Sequence, residues 1–280
     1  MKRFTKPDVV ALVLCVLFLA CSLGPVGSTG RERARRAVCL ANLSQLTRAW
    51  LSYASDNDGR IINGAAGIYR SSFDRHEDPW VGKCWASNYA RGELLPEASQ
   101  KDQIRRGALW PYVQDLHPYR CPSAYSGEML NYTAVDAVNG RRRPGTFTGW
   151  DYLDDTGLRV GDTVVWLKNT TDIISPGPAE RMVFIDEGSI TPDSFNTHYQ
   201  QELWWDDPPI RHSDGFTASF ADGHVEHWQW NGTDTIRFGR DRERGHPGNH
   251  YMPETAEGAE DLHRFQRAVW GRLGYTPEQP

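Results

Sequence analysis

The apolar positions of this chain change rhythm three times. From Val9 to Gly27 no charged residue occurs, a run of nineteen just long enough to span a bilayer as a helix. Polar residues then enter, and Val38, Leu43, Leu46, Trp50 and Tyr53 recur at helical spacing among basic and amide side chains. The tract Ser55-Asp56-Asn57-Asp58-Gly59 supplies a stop. Phe4 to Asn57 therefore predicts one element, a greasy stem continuing into an amphipathic helix.

Past residue 59 the pattern is that of short strands and loops. Residues 60–107 show little periodicity, with a short helix expected inside Leu94–Gly107. Thr163–Leu167 and Arg181–Ile185 are β-branched and aromatic between Gly and Pro breaks, which predicts strands. The clearest local signal is Phe216–Phe220, then Ala221-Asp222-Gly223-His224, then Val225–Trp230. Two alternating runs around Asp-Gly predict a hairpin with a type I′ turn, since Gly223 readily takes a positive φ. That register sets Phe220 opposite Val225, Phe216 opposite Gln229, Thr217 opposite Trp228 and Ser219 opposite Glu226. Residues after Asn231 turn charged and broken until about Gly258. Ala259–Leu273 then predicts a terminal helix with Leu262, Phe265, Val269 and Leu273 on one face.

Charge sharpens this division. The first 36 residues hold seven Lys or Arg against Asp8 and Glu32, so the remainder of a chain with formal charge −5 has a net charge of −10. An acidic head excludes nucleic acid as a partner, because a binder must set cations against phosphate. It suits a hard cation such as calcium, for which the loop carboxylates Asp186, Glu187, Asp193, Asp206, Asp207, Asp214 and Asp222 are candidates. Glycine and proline together make 43 of the 280 residues, which predicts a loop-rich head rather than a helix bundle. The five cysteines contain no Cys-x2-Cys pair and fit no local zinc pattern. His224 and His227 lie three apart on a strand, so they face opposite sides and do not share an ion. No nucleophile elbow and no phosphate-binding glycine loop occurs, and no catalytic residue is assigned.

Several phrases resemble a known family. Phe4-Thr5, an acid at Asp8 and an apolar helix resemble the processed N-terminus of type IV pilin-like (pseudopilin) subunits. Asp8 stands where the family usually has Glu, and Arg3 stands where the leader usually ends in Gly. Pro25 falls where pilin-like helices often carry a kinking proline. Arg35–Leu46 and Tyr53–Gly59 are similar to the juxtamembrane helix of one branch, defined by a His-x9-Asp-Gly motif that His212, Asp222 and Gly223 reproduce. Leu109–Tyr112, Arg120–Ser123 and Arg181–Glu187 are similar to further phrases of that branch.

The resemblance implies an α+β, pilin-like fold, with a long N-terminal helix, partly transmembrane, packed on an antiparallel sheet head. Residues 1–8 would be a leader, 9–27 the transmembrane stem and 28–58 its amphipathic continuation. Residues 59–280 would form an extracytoplasmic head, with the motif hairpin at 212–230. It implies a structural rather than enzymatic role in a type II secretion or pilus-like filament, anchored in the inner membrane. Its partners would be other pilin-like subunits and a prepilin peptidase, with Phe4 and Asp8 serving processing and assembly. It places a cysteine at both Cys39 and Cys121, which implies a disulfide between them. His212 is expected to be structural, bonding a nearby loop carbonyl. The rival reading takes Met1–Ser28 as an ordinary signal peptide cut near Thr29. The head would then be a carbohydrate-binding or carbohydrate-active domain using some of the eleven tryptophans.

Overall fold

The computed structural model describes residues 6–71, 74–86, 94–141, 156–187, 193–243 and 250–277, with backbone only for residues 8–9, 17, 19–26 and 28. The chain begins with helix α1 (Lys6–Asp56), 51 residues and about 75 Å long. Short strands β1 (Arg70–Ser71) and β2 (His76–Glu77) and helices α2 (Glu97–Arg106) and α3 (Trp110–Val113) follow. Next come β3 (Tyr132–Ala134), β4 (Leu158–Val160), β5 (Thr163–Trp166) and β6 (Met182–Asp186). The hairpin strands β7 (Gly215–Phe220) and β8 (Val225–Gln229) precede α4 (Thr233–Glu243) and α5 (Ala256–Trp270). The fold is thus α+β, with α1 packed on a four-stranded antiparallel sheet ordered β3-β6-β7-β8.

The second half of α1 forms because its apolar positions make one stripe. Cys39, Leu43, Leu46, Thr47, Trp50 and Ala54 are buried against the sheet. Leu43, Leu46 and Trp50 were expected there, whereas Val38 is half exposed and Tyr53 half-buried. Position 38 sits about 100° round the helix from Cys39, and it is Cys39 that falls on the buried line. Within the layer Thr47 Oγ1 donates to Ser219 Oγ on β7 at 2.6 Å. The helix stops where expected, with Gly59 in the left-handed region and its N–H bonded to Ala54 O.

The opposite face of the sheet is covered by α5 and a set of rings. Phe265 lies 5.7 Å from Phe216 and 5.3 Å from Phe195, centre to centre, and Trp204 packs edge-on to Trp230. Every residue of β6 and β7 is buried, because both faces of these strands are covered. The terminal helix starts three residues earlier than the sequence suggests, since Thr255 caps it by accepting the Gly258 N–H. Leu273 lies beyond its end, where Gly271 turns left-handed. Helix α4 falls in a stretch with no clear sequence pattern. Its start is set by long-range contacts, notably Asp261 accepting from the N–H groups of Asn231 and Gly232.

The hairpin is present, but its register is shifted by one from the expected pairing. Phe216 pairs with Trp228, Thr217 with His227, Ala218 with Glu226 and Ser219 with Val225. A type I′ turn needs a positive φ at both Asp222 and Gly223, and of these two only Gly223 has one. The chain instead makes a three-residue loop, with Gly223 N–H bonded to Phe220 O and Phe220 N–H bonded to His224 O. The Asp222 carboxylate holds this loop by accepting the His224 N–H at 3.0 Å.

Phe4 lies outside the described residues, as do the side chains of Asp8 and Pro25. The helix backbone runs unbroken through Pro25. Among the described residues no helix is long and apolar enough to cross a membrane. Of the expected stem, Val10, Leu12, Val13, Leu14, Val16 and Phe18 are each half or more exposed.

Two substitutions test this account by chemical denaturation. Leu43→Ala is expected to cost about 2–5 kcal/mol, whereas Val38→Ala on the exposed flank stays within about 0.5 kcal/mol. Gly223→Ala is expected to cost about 1–2 kcal/mol through its positive φ, since an added Cβ would meet nothing closer than Leu51 Cδ1 at 3.9 Å.

Candidate functional site

The buried polar centre of the molecule lies where α1 meets the sheet. Cys39 reaches it from the helix, Asp186 from the last position of β6, and Cys121 from the loop after a 3-10 turn at His117–Tyr119. His212 comes from the turn before β7. That turn is tight, with Ser213 and Asp214 both left-handed, and His212 N–H bonds Gly215 O at 3.1 Å. Neither residue is glycine, so the geometry costs about 1–2 kcal/mol per residue. Arg240 bonds the Asp214 carboxylate at 2.8 Å and holds it in place. The ring itself is held by Glu32 and Asp186.

All four side chains are buried, and their ligand atoms lie within 4.8 Å of one another. His212 Nε2 is 3.1 Å from Asp186 Oδ2 and 3.5 Å from Cys121 Sγ, and the Cys39 thiol donates to Asp186 Oδ2 at 3.3 Å. The other ring nitrogen, Nδ1, meets Glu32 Oε1 at 3.0 Å, so His212 ties the helix to the sheet through two carboxylates. His212 was expected to bond a loop carbonyl. Instead its ring bonds acids, and it is its own carbonyl that accepts, from His227 Nε2 at 2.8 Å.

The electrostatics follow from that pairing. Burial pushes the imidazole towards its neutral form, but the hydrogen bonds with Asp186 and Cys121 and the nearby negative charge win, raising His212 to about 10. Burial likewise opposes ionised Asp186, yet the His212 hydrogen bond and charge hold its carboxyl below the usual range. The Cys39 thiol is pushed well up by burial, while its hydrogen bond to Cys121 draws the second thiol down. Without further ligands the centre is a buried imidazolium–carboxylate pair with two thiols beside it.

Both cysteines that the resemblance implied as a disulfide are free thiols here. They are nevertheless neighbours, each bound into the same cluster by other partners. Among the loop acids named for calcium, Asp193 and Asp206 both meet the Asn196 side-chain amide, while Asp186, Asp214 and Asp222 have partners elsewhere. Asp206 accepts from Asn196 N–H, Asp214 pairs with Arg240, Asp222 closes the hairpin and Asp186 is in the core. Asp193 is buried, with Arg141 3.7 Å away. His224 and His227 also part, the first bonding Asp222 and the second Arg36 and His212. Among the described residues the tryptophans are buried or half-buried, and Trp150 lies outside them. No exposed tryptophan platform for a sugar occurs among them.

Of the residues singled out in the sequence, His212, Cys39 and Cys121 converge. Asp222 and Gly223 are explained by the turn alone. Sequence reasoning missed Asp186 as a core residue and Glu32 altogether. Asp186 carried a faint signal, an acid directly after an apolar strand, whereas Glu32 carried none. Compared with protein-family models, with curated proteins and with solved structures, the chain matches none.

Removing either member of the buried pair leaves the other uncompensated, so Asp186→Asn and His212→Gln are each expected to cost about 3–5 kcal/mol. The double variant should cost less than their sum, by at least about 0.5 kcal/mol. Urea denaturation of all four proteins measures that coupling, and strict additivity would show that the pair does not act as one unit.

Proposed function

We propose that this chain is a pilin-like structural subunit, held in the inner membrane by its stem and competent to bundle that stem with others in a pseudopilus-like filament. The observation that carries the reading is the division of labour along α1. Residues from about Glu32 onward are gripped by the head, while Val10 to Phe18 offer apolar side chains to whatever surrounds them. Exposed apolar side chains at such density call for a lipid or protein environment. The Phe4-Thr5 start, the acid at Asp8 and the His212, Asp222, Gly223 motif support the same reading. On it the head lies outside the cytoplasm, and a prepilin peptidase cuts before Phe4. Asp8 then pairs with a neighbouring subunit's freed amine. The role is one of assembly, and no step of catalysis is assigned.

The test is intact mass and N-terminal sequencing of the protein from its native membrane. A chain starting at Phe4, N-methylated, is the expected result. A start near Thr29 would overturn the anchor and the filament together. An intact Met1 would overturn the processing step and, with it, the pairing of Asp8. A further check is Asp8→Ala, which on this reading abolishes filament assembly while leaving the head folded.

A further inference from the structure

We propose that Cys39, Cys121, Asp186 and His212 form a closed, four-ligand site for a divalent transition-metal ion, zinc by its donor set, which pins α1 to the sheet. The inference rests on the junction geometry and stands whether or not the stem assembles.

Geometry makes the first argument. Zinc binds sulfur at about 2.3 Å and nitrogen or oxygen at about 2.0–2.2 Å, which in a tetrahedron sets ligand atoms about 3.3–3.8 Å apart. The separations among the four here include 3.1, 3.3 and 3.5 Å, and none exceeds 4.8 Å. The three short contacts thus already stand at or just below tetrahedral spacing.

Chemistry makes the second. Two thiolates, an imidazole and one carboxylate suit a borderline-soft ion. Calcium takes six to eight oxygens and finds one residue here able to supply them. With four protein ligands the coordination is filled, which is the pattern of structural rather than catalytic zinc.

The surroundings make the third. Ligating histidines commonly hold their second nitrogen against a carboxylate, and Glu32 Oε1 sits 3.0 Å from His212 Nδ1. Hydrogen-bond donors converge on both sulfurs. Tyr132 Oη donates to Cys39 Sγ at 3.1 Å, Thr217 Oγ1 lies 2.9 Å from the same sulfur, and the Ser123 N–H donates to Cys121 Sγ at 3.3 Å. Such donors suit thiolates better than thiols. Asp186 Oδ1, in a fully buried residue, has no hydrogen-bond partner. A cation bound beside it answers that orphaned acceptor. On binding, both thiols and the imidazolium Nε2 pass their protons to solvent, and the neutral imidazole keeps the Nδ1 proton that it donates to Glu32.

The sequence hides this site because its ligands come from four separate segments, the nearest two being 26 positions apart. Local spacing rules detect zinc sites whose ligands come in close pairs, and none is present.

The full chain, purified in detergent without chelator, is expected to carry one zinc per chain by elemental analysis and native mass. After chelation it should take up one equivalent from zinc chloride. Cobalt(II) chloride should give the visible absorption of a tetrahedral ion with a thiolate charge-transfer band. Cys121→Ser and Asp186→Asn should abolish stoichiometric uptake, and Glu32→Gln should weaken it by about tenfold. Cys84→Ser, whose buried thiol lies outside the cluster, should change nothing. The cobalt spectrum of the unsubstituted chain is read independently of whether any variant folds. A chain lighter by two hydrogens, with Cys39 and Cys121 peptides crosslinked and no metal, would overturn the proposal in favour of a disulfide. A reduced chain that takes up neither zinc nor cobalt would overturn it equally.

Discussion

Burying one stripe of a single long helix against strands β6 and β7 is the constraint on which the rest of this molecule depends. The helix has no other way to satisfy Leu43, Leu46 and Trp50, and the sheet has no other cover for Thr217 and Ser219 on that face. Because both strands are covered on both sides, the head behaves as a three-layer structure built on few regular residues. Its strands are short, from two to six residues, so hydrogen-bond ladders alone do not fix the layers. Side chains that tie distant segments take up that task.

Buried charge is used for this purpose in several places. The guanidinium of Arg181 is fully enclosed and donates to Val164 O, Val165 O and Val269 O, joining β5, β6 and α5 at one point. Burial brings it down to about 9, against the opposing pull of the Asp172 charge, so the guanidinium stays charged at neutral pH. Lys168 pairs with Glu77 at 2.6 Å and bonds Asn139, fastening β2 and the loop at Asn139 to the segment that follows β5. Asp136 takes the opposite course. Burial pushes its carboxyl well above the ordinary range, which favours the neutral form. The His212 centre belongs to this group of ties, and it is the one that reaches the helix.

What was legible in the sequence follows from the range of each interaction. The helical stripe, the strands at 163–167 and 181–185, and the existence of the hairpin are local patterns, and they appear where expected. The hairpin register was not, because Asp-Gly serves two loop lengths and only the backbone at Asp222 separates them. The start of α4 depends on Asp261, thirty positions away, so the local sequence is silent about it. The candidate site was half legible. A resemblance pointed to Cys39 and Cys121 as a pair and to His212 apart from them, but the histidine's meeting with that pair, and the entry of Asp186 and Glu32, is a property of the helix–sheet contact.

The position of Pro25 then acquires a meaning of its own. A proline within a helix offers no N–H to the carbonyl four residues earlier, so the ladder is weakest there. In this chain that weak point falls near the end of the uncharged run that closes at Gly27, seven residues before Glu32, where the gripped portion begins. From Pro25 back to Lys6 is about 28 Å of helix, and a change of about five degrees at the weak point moves the far end by about 2.5 Å. A bend at Pro25 would thus re-aim the stem while the tie between Glu32 and His212 keeps the head in place on its own length of helix.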